Sequence, residues 1–169
     1  MPKTPQDLFA FLDGLGIRHQ TVEHAPVYTA ADEIDWKNVV PGLHCKNLFV
    51  ENRESRKWLI TMPAADRADM NGIGKQLNSG RLSFVKSEHM LGILGVPPGH
   101  ATPFAMLNDS ARNVNIAVDE AIPMAPAINI HPLVNTASTI ISGADLMHFF
   151  RAFGITPTVI KTAKVNAAA

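Results

Sequence analysis

Short runs of apolar residues, several of them alternating with polar ones, predict that this chain is built mainly from short β-strands. The runs cover residues 17–23, 43–50, 57–62, 82–85, 104–107, 114–119, 127–132, 136–141 and 157–160. The stretch between the second and third runs is polar, which is typical of a turn. These two runs are therefore expected to form an antiparallel hairpin.

Apolar residues at helical spacing predict helices between these strands and at both ends of the chain. Thr4 is a typical N-cap and Pro5 a typical first helical residue, and Gly16 is expected to end the first helix. Further helices are predicted to begin at Thr29, to cover 63–77 and 87–94, and to run from Ser142 to Gly154. This mixture indicates an α+β domain with a curled, barrel-like, mostly antiparallel mixed sheet flanked by helices.

The segment Gly95–Pro103 is predicted to be a stiff loop between two apolar runs. It holds three prolines and two glycines, which excludes a helix interior or a central strand. Glycine lets a backbone approach a ligand closely, so such a loop can aim main-chain N–H groups at one. From composition alone, a rigid connector is the simpler interpretation.

Size and composition indicate one domain over residues 1–169, with a loose tail at 161–169. The chain is 46% hydrophobic and 18% charged, which favours an ordinary core over disorder. No apolar run is long enough to cross a bilayer, and the single cysteine fits a reducing cytoplasm. Lys+Arg and Asp+Glu are both 15, and this neutrality argues against sequence-independent binding of duplex DNA.

Lys46 is a candidate for anion binding because apolar residues surround it in a predicted strand. Alternation places it on the face of Leu48 and Val50, while Asn47 lies on the opposite face. An unpaired ammonium is costly to bury, so Lys46 must reach an edge of the sheet or meet an anion. The alternative is an exposed lysine whose stem covers apolar surface. Asn47 can bond a ligand or, equally well, a nearby turn.

His131 is the second candidate, and Asn129 points to the same side if residues 127–132 form a strand. The alternative is a half-buried histidine whose hydrogen bonds are satisfied within the protein. The other histidines do not pair at zinc-ligand spacings, so no metal site is expected. The sequence also lacks a P-loop and a Gly-x-Ser-x-Gly nucleophile motif, and no cofactor is expected. An enzyme built from these residues would rely on activated water, backbone donors and positioning.

Three motifs in this order resemble the YbaK/prolyl-tRNA-editing family. They are the pair Lys46-Asn47 in an early strand, Gly-x-x-x-Pro at Gly99–Pro103, and Asn-x-His-Pro-Leu-x-Asn-Thr at Asn129–Thr136. The resemblance extends over about the whole chain and is strongest to the free-standing alanyl-tRNA(Pro) deacylase branch. It implies that family's fold and hydrolysis of the ester that joins a mischarged small amino acid to a tRNA 3′ end.

The resemblance also implies a role for each candidate residue. Lys46 would hold the 3′-terminal nucleotide or its phosphate, and Asn47 would assist in positioning the substrate. His131, beside Asn129, would line the pocket and hold substrate or water. No side chain is assigned as a general base, because in this family the tRNA ribose hydroxyl is thought to help.

The family's Gly-x-x-x-Pro loop implies that main-chain groups bind the aminoacyl carbonyl and its developing oxyanion. His100 is not expected to be the catalytic group, although its backbone belongs to this loop. Gly99 is assigned to catalysis, together with Lys46 and His131, and the loop residues assigned to substrate binding are His100, Ala101, Thr102 and Pro103.

The implied partner is a mischarged tRNA, bound through its 3′ end and acceptor stem, with prolyl-tRNA synthetase as a second partner in the cytoplasm. The oligomeric state stays open. Candidate contacts to the tRNA body are Arg53, Arg56, Lys57, Lys75, Arg81 and Lys86. Three alternatives also stay open. The first is a non-catalytic module of this fold that binds aminoacyl-tRNA, a nucleotide or a protein. The second is a deacylase for another small amino acid. The third is a hydrolase of some other small ester or amide.

Overall fold

The computed structural model describes residues 1–26 and 40–164, so the helix predicted to begin at Thr29 lies outside the described residues. Helix α1 spans Pro5–Gly14, close to its predicted position. Its N-terminus is a capping box, in which the Thr4 hydroxyl accepts from the Asp7 N–H and the Asp7 carboxylate accepts from the Thr4 N–H.

The remaining elements alternate along the chain. The strands are β1 Gln20–Glu23, β2 Leu43–Glu51, β3 Lys57–Pro63, β4 Ser83–Phe84, β5 Asn115–Asp119, β6 Ile128–Ile130, β7 Ala137–Ile141 and β8 Thr158–Ile160. The helices after α1 are α2 Met70–Leu77, α3 Met90–Leu94, α4 Ala121–Met124 and α5 Gly143–Arg151, with 3₁₀ turns at Ser87–His89, Pro103–Leu107 and Asp109–Ala111. None of the helices in the described ranges has the length and apolar character needed to span a membrane.

Within residues 1–26 and 40–164, eight strands form one sheet in the order β1-β7-β6-β2-β3-β5-β8, with β4 also paired to β2. The predicted hairpin is confirmed, because β2 and β3 pair antiparallel with Lys46 opposite Met62. The pairs β2–β6, β3–β5 and β5–β8 are parallel, and the pairs β1–β7, β2–β4 and β6–β7 are antiparallel. The predicted mixed sheet flanked by helices is thus confirmed, with a larger parallel share than expected.

Apolar side chains are buried on both faces of this sheet. Phe49 and Leu59 point to one face, where they join a large cluster with residues of α1, α3 and α5. Leu48 and Ile60 point to the other face and pack with Ile73 of α2 in a smaller cluster. Strand β5 contributes to both clusters because it lies between β3 and β8, so it is buried on both sides rather than on one.

The strand predicted at residues 104–107 is wrong, since Pro103–Leu107 forms a 3₁₀ helix. Thr102 begins it, with its hydroxyl accepting from the Phe104 N–H at 3.3 Å, and Pro103 suits the first helical position. All five residues are buried. A short apolar run buried on every side has no periodicity that distinguishes a strand from a helical turn.

Two other predicted boundaries change. The helix predicted from residue 63 begins only at Met70, because Pro63 still pairs with Cys45 in the hairpin. The helix predicted from residue 87 begins as a 3₁₀ turn and becomes α-helical at Met90. Of the segment expected to be a loose tail, residues 161–164 are held by hydrogen bonds to the domain, and 165–169 lie outside the described residues.

Candidate functional site

Strands β2 and β6 bring polar residues onto one face of the sheet. They run parallel, with Leu43 beside Ile128 and His44 beside Asn129. Residues in register share a face, and alternate residues along a strand return to it. Lys46, two residues beyond His44, therefore shares the face of Asn129. Both side chains belong to sequence motifs that lie far apart in the chain.

His131 follows β6 directly and lies beside a second histidine. Its Nδ1 is 3.1 Å from the Ala137 carbonyl oxygen. A carbonyl only accepts, so Nδ1 carries the proton and Nε2 holds the lone pair of the neutral ring. The ring of His24 lies 6.2 Å from the His131 ring, centroid to centroid. Two rings from distant parts of the chain thus meet at the end of β6.

His24 supplies the partner that sequence reasoning did not find for Ser138. Its Nε2 is 2.9 Å from the Ser138 Oγ, and its Nδ1 is 2.8 Å from the Ala25 carbonyl oxygen. Nδ1 therefore donates, and Nε2 accepts the serine proton. Ser138 is only 1% exposed and is paired with Val22, so its hydroxyl fixes the histidine ring rather than attacking a substrate. A lone histidine before a proline gave no signal of this contact.

The predicted loop makes its turn at Gly99. The His100 N–H donates to the Pro97 carbonyl at 3.1 Å, and Gly99 has φ +84°. A proline followed by a glycine with positive φ is the pattern of a type II turn. Gly95 also has positive φ, and a Cβ there would lie 2.5 Å from the Asn108 side-chain nitrogen. Both glycines are thus required by the backbone.

One hydroxyl joins this loop to His131. Thr102 Oγ1 donates to the His131 carbonyl oxygen at 2.7 Å. Thr102 is fully buried, so its hydroxyl must be bonded within the protein. The structure therefore brings the Gly-x-x-x-Pro loop and the His131 segment together, as two parts of one site.

Two main-chain donors of the loop remain available. Within the described residues, the N–H groups of Gly99 and Ala101 donate to no protein acceptor, whereas Thr102 is fully buried. The His100 N–H closes the turn, and Pro103 has no N–H. The loop thus offers N–H groups of the kind that stabilise a developing oxyanion.

The His100 ring lies against the turn that follows His131. Burial lowers the pKa of His100 below its usual 6.5, and a hydrogen bond with the Leu133 backbone opposes that decrease. Leu133 has φ +70°, an uncommon conformation for a residue with a branched side chain. Such strain is found more often at functional sites than elsewhere.

Lys46 is half-buried, and its Nζ donates to the backbone carbonyl of Asp66 at 2.5 Å. Asn47 points to the opposite face of β2, where its side-chain oxygen accepts from the Thr61 hydroxyl at 2.7 Å. The structure thus groups Lys46 with Asn129 and His131, and it places the Asn47 side chain away from them.

The basic residues of the hairpin lie at its other end. The Arg56 guanidinium is 5.0 Å from the centre of the Trp58 ring, and Lys57 pairs with Glu51 at 3.1 Å. Met62, the partner of Lys46, lies five positions along β3 from Lys57, a distance of roughly 17 Å. A cleft of about 530 Å³ opens there, lined by Ser55, Arg56, Lys57, Ile93, Ser110, Asn113, Val114 and Asn115.

In residues 1–26 and 40–164, no group of three or more His, Cys, Asp or Glu side chains is arranged to hold a metal ion.

Residues 24–149 match the family model of the aminoacyl-tRNA editing domain. The chain is 30% identical over 154 residues to the prolyl-tRNA editing protein ProX of Acetoanaerobium sticklandii, a match that covers 89% of this chain and 93% of that protein. It is 32% identical over 154 residues to the prolyl-tRNA synthetase associated domain-containing protein 1 of Mus musculus, covering 88% and 90%.

Solved structures agree in fold. A structure described as a candidate trans-editing enzyme for prolyl-tRNA synthetase superposes with a TM-score of 0.71 at 15% identity, over 95% of this chain and 96% of that one. The hypothetical protein APE2540 gives a TM-score of 0.72 at 15% identity, over 92% and 97%. At such identities the likeness concerns the fold alone.

Proposed function

The chain belongs to the aminoacyl-tRNA editing domain family, and from this premise we propose that it is a trans-editing deacylase that hydrolyses the ester of mischarged tRNA. Ala-tRNA(Pro) is the substrate we favour. The observation that carries the proposal is the grouping of Lys46, Asn129 and His131 around one face of the sheet, joined to the loop Gly99–Pro103.

Lys46 is suited to hold the phosphate of the 3′-terminal nucleotide. Its bond to the Asp66 carbonyl uses one of the three N–H donors of an ammonium and orients the rest. Charge-assisted hydrogen bonds to phosphate oxygens are stronger than neutral ones. A single lysine that meets the substrate at its reacting end is compatible with a chain of zero net charge.

The loop N–H groups stabilise the oxyanion in this proposal. Water adds to the ester carbonyl carbon, the carbonyl oxygen becomes negative, and the bond to the ribose oxygen then breaks. The N–H groups of Gly99 and Ala101 are the available donors for that oxygen. Loss of one such donor raises the barrier by about 2.7–4 kcal/mol.

His131 positions the substrate or the water. Its Nδ1 lies 3.1 Å from the Ala137 carbonyl oxygen, and this contact fixes the orientation of the ring. The proton lost by the attacking water ends on the ribose oxygen that leaves. No side chain is assigned as general base, because an aminoacyl ester is already activated and the neighbouring ribose hydroxyl can assist.

Amino-acid choice in this proposal depends on the size of the pocket. Steric exclusion can reject proline while alanine is accepted. One methylene of lost contact is worth only about 1–3 kcal/mol, so glycine and serine are refused weakly. The exposed cations at the hairpin end, Arg56 foremost, are proposed contacts to the acceptor stem, and prolyl-tRNA synthetase is proposed as a partner that supplies the charged tRNA.

The test is hydrolysis of a panel of charged tRNAs by the purified protein. We expect Ala-tRNA(Pro) to be hydrolysed, Pro-tRNA(Pro) to be spared, and Lys46→Ala to lose the activity. Lys3→Ala is the matched control, because Lys3 is an exposed lysine outside the site, and it should retain full activity.

The panel also separates the alternatives. Binding of tRNA without turnover of any member would show a non-catalytic module, and preference for another aminoacyl group would correct the substrate. Full activity in Lys46→Ala would remove Lys46 from the site.

A further inference from the structure

A charged cluster with two buried carboxylates and one partly exposed ammonium lies behind Lys46, outside the residues assigned to catalysis or substrate binding. It consists of Asp66, Asp119, Thr162 and Lys164, called here the rear cluster. The side chains of Asp66 and Asp119 are 8% and 0% exposed. Carboxylates at this depth need charged or hydrogen-bonding partners, since an unpaired buried charge is costly.

Every partner of Asp119 can be named. Its Oδ2 accepts from the Thr162 N–H at 2.9 Å and lies 2.7 Å from the Thr162 hydroxyl. Its Oδ1 accepts from the Ala121 N–H at 2.9 Å and lies 3.4 Å from the Lys164 ammonium. The loop before α4 and the chain after β8 are thereby fixed to the end of β5.

Asp66 shares two of these partners. Its Oδ2 lies 2.6 Å from the Thr162 hydroxyl and 2.5 Å from Lys164 Nζ. A threonine hydroxyl has one proton and cannot donate fully to two carboxylates at once. The Lys164 ammonium is therefore needed to hold both acids in contact. The Arg67 N–H also donates to the Ala163 carbonyl at 2.7 Å.

The rear cluster reaches the site through the main chain of Asp66. The side chain of Asp66 is held by Thr162 and Lys164, and its backbone carbonyl accepts from Lys46. Movement of the Asp66 side chain would shift that carbonyl and, with it, the ammonium. Thr162 and Lys164 also lie beyond residues 24–149, the part that matches the family.

We infer that Asp119, Thr162 and Lys164 are positioning residues, which hold the Asp66 carbonyl where it directs the Lys46 ammonium at the 3′ end of the substrate. The inference rests on the proposed function. It makes a segment outside the matched family region part of the machinery that binds substrate. A misplacement of about 1 Å at such a contact can cost roughly 100-fold in rate.

The experiment compares Thr162→Val and Lys164→Met with Lys161→Met, an exposed lysine of the same segment, as the matched control. We expect KM for charged tRNA to rise roughly 10- to 100-fold in the first two variants, with kcat changed less, since Lys46 holds the substrate. Lys164→Arg should restore KM, because a guanidinium can bridge two carboxylates. Thermal unfolding of each variant confirms that it is folded at the assay temperature.

A double variant tests the route through Lys46. Because Lys46→Ala is expected to be inactive, the readout is the Kd for tRNA, which needs no turnover. If the rear cluster acts by positioning this lysine, Lys164→Met adds no further loss of tRNA affinity to Lys46→Ala. Equal loss in both backgrounds overturns the inference and leaves the proposed function intact. An unchanged KM in Lys164→Met, found together with an inactive Lys46→Ala, also overturns the inference and leaves the proposed function intact.

The Lys46 ammonium gives a readout that needs no activity. Its ¹⁵N–¹H NMR signal is assigned by its absence in Lys46→Ala, and we expect it to disappear in Thr162→Val and Lys164→Met as the fixed hydrogen bond is lost. If the wild-type protein hydrolyses no charged tRNA, the proposed function fails, and the NMR signal alone then decides whether the rear cluster positions Lys46. Its persistence in Lys164→Met then overturns the inference.

Discussion

Neutral hydrogen bonds hold the loop Gly95–Pro103, whereas charged side chains hold the strand end that carries Lys46. On the loop side, the Thr102 hydroxyl binds the His131 carbonyl, and the Asn108 amide binds the Leu94 carbonyl at 2.9 Å. On the lysine side, the rear cluster joins two buried carboxylates to one ammonium. The stability that these two neutral hydrogen bonds give the loop does not depend on pH, whereas the stability that the rear cluster gives the strand end does.

The pH range of the rear cluster follows from its two shifted groups. Burial raises the pKa of Asp119, but hydrogen bonds from Ala121 and Thr162 and the charge of Lys164 outweigh it, so the net pKa lies below 3.8. The hydrogen bond to Asp66 raises the pKa of Lys164 above 10.5. The stabilisation by Asp119 is lost as the pH falls through its lowered pKa, and that by Lys164 is lost as the pH rises through its raised pKa.

The largest effect is expected at the rear cluster. Asp119→Ala removes the acceptor of two backbone N–H groups and leaves Lys164 with one partner. Each of these N–H groups left without an acceptor should lower the free energy of unfolding by about 1–3 kcal/mol. Denaturant unfolding at neutral pH measures the total loss. The difference in this free energy between variant and wild type should narrow as the pH falls below about 4, where the carboxylate takes up a proton in the unfolded chain, and a difference independent of pH would contradict the ionic support.

A smaller effect is expected on the loop side. Thr102→Val removes one buried hydroxyl and leaves the His131 carbonyl and the Phe104 N–H without their partner. The free energy of unfolding should fall by about 1–3 kcal/mol. The same denaturant titration should give one value between about pH 7 and pH 9, above the lowered pKa of His100 and away from the two shifted groups of the rear cluster. A strong pH dependence of this loss would erase the contrast between the two supports.

The two loop glycines are expected to differ. An alanine at either position adopts a left-handed conformation at a cost of about 1–2 kcal/mol. Gly99→Ala adds nothing else, because its Cβ would meet open space. Gly95→Ala also displaces Asn108, which binds both Leu94 and the Lys3 backbone. In thermal unfolding, the melting temperature of Gly95→Ala should therefore lie below that of Gly99→Ala. Equal melting temperatures would show that Asn108 moves without a cost in free energy.

The smallest effect is a shift in one titration. His100 should titrate below pH 6.5 in the folded protein, because burial disfavours its charged form. Its stabilising effect is present above pH 6.5 and diminishes as the pH falls towards its lowered pKa. NMR of the His100 ring protons measures the midpoint. A midpoint above 6.5 would exclude burial as the dominant influence on this pKa.

Turn chemistry explains why the sequence predicts the loop side well. A Pro-Gly pair and the glycine at position 95 specify their own backbone angles, so their conformation follows from neighbours in the chain. The β2–β3 hairpin is equally local, and its two strands were predicted for the same reason. The apolar run at 104–107 was mistaken for a strand because burial on all sides hides periodicity.

Contacts between distant residues explain what the sequence did not predict. Thr162 and Asp66 are 96 residues apart, and His24 and Ser138 are 114 apart. Nothing in the neighbourhood of Thr162 marks it as a buried partner of two acids. The face of Asn47 was predicted correctly by alternation, but only the sheet order shows that the site lies on the opposite face.

The pairing of β1 with β7 has a consequence for the rate of folding. The hydroxyls of Thr21 and Thr139 meet at 2.8 Å across 118 residues of chain, while Asn47 and Thr61 in the hairpin are 14 apart. Closing the longer loop costs more chain entropy, so the hairpin forms early and the β1 edge joins late. His24, which contacts Ser138, directly follows β1 and is therefore placed when that strand pairs with β7. We therefore expect the hairpin with Lys46 to form before this wall of the pocket.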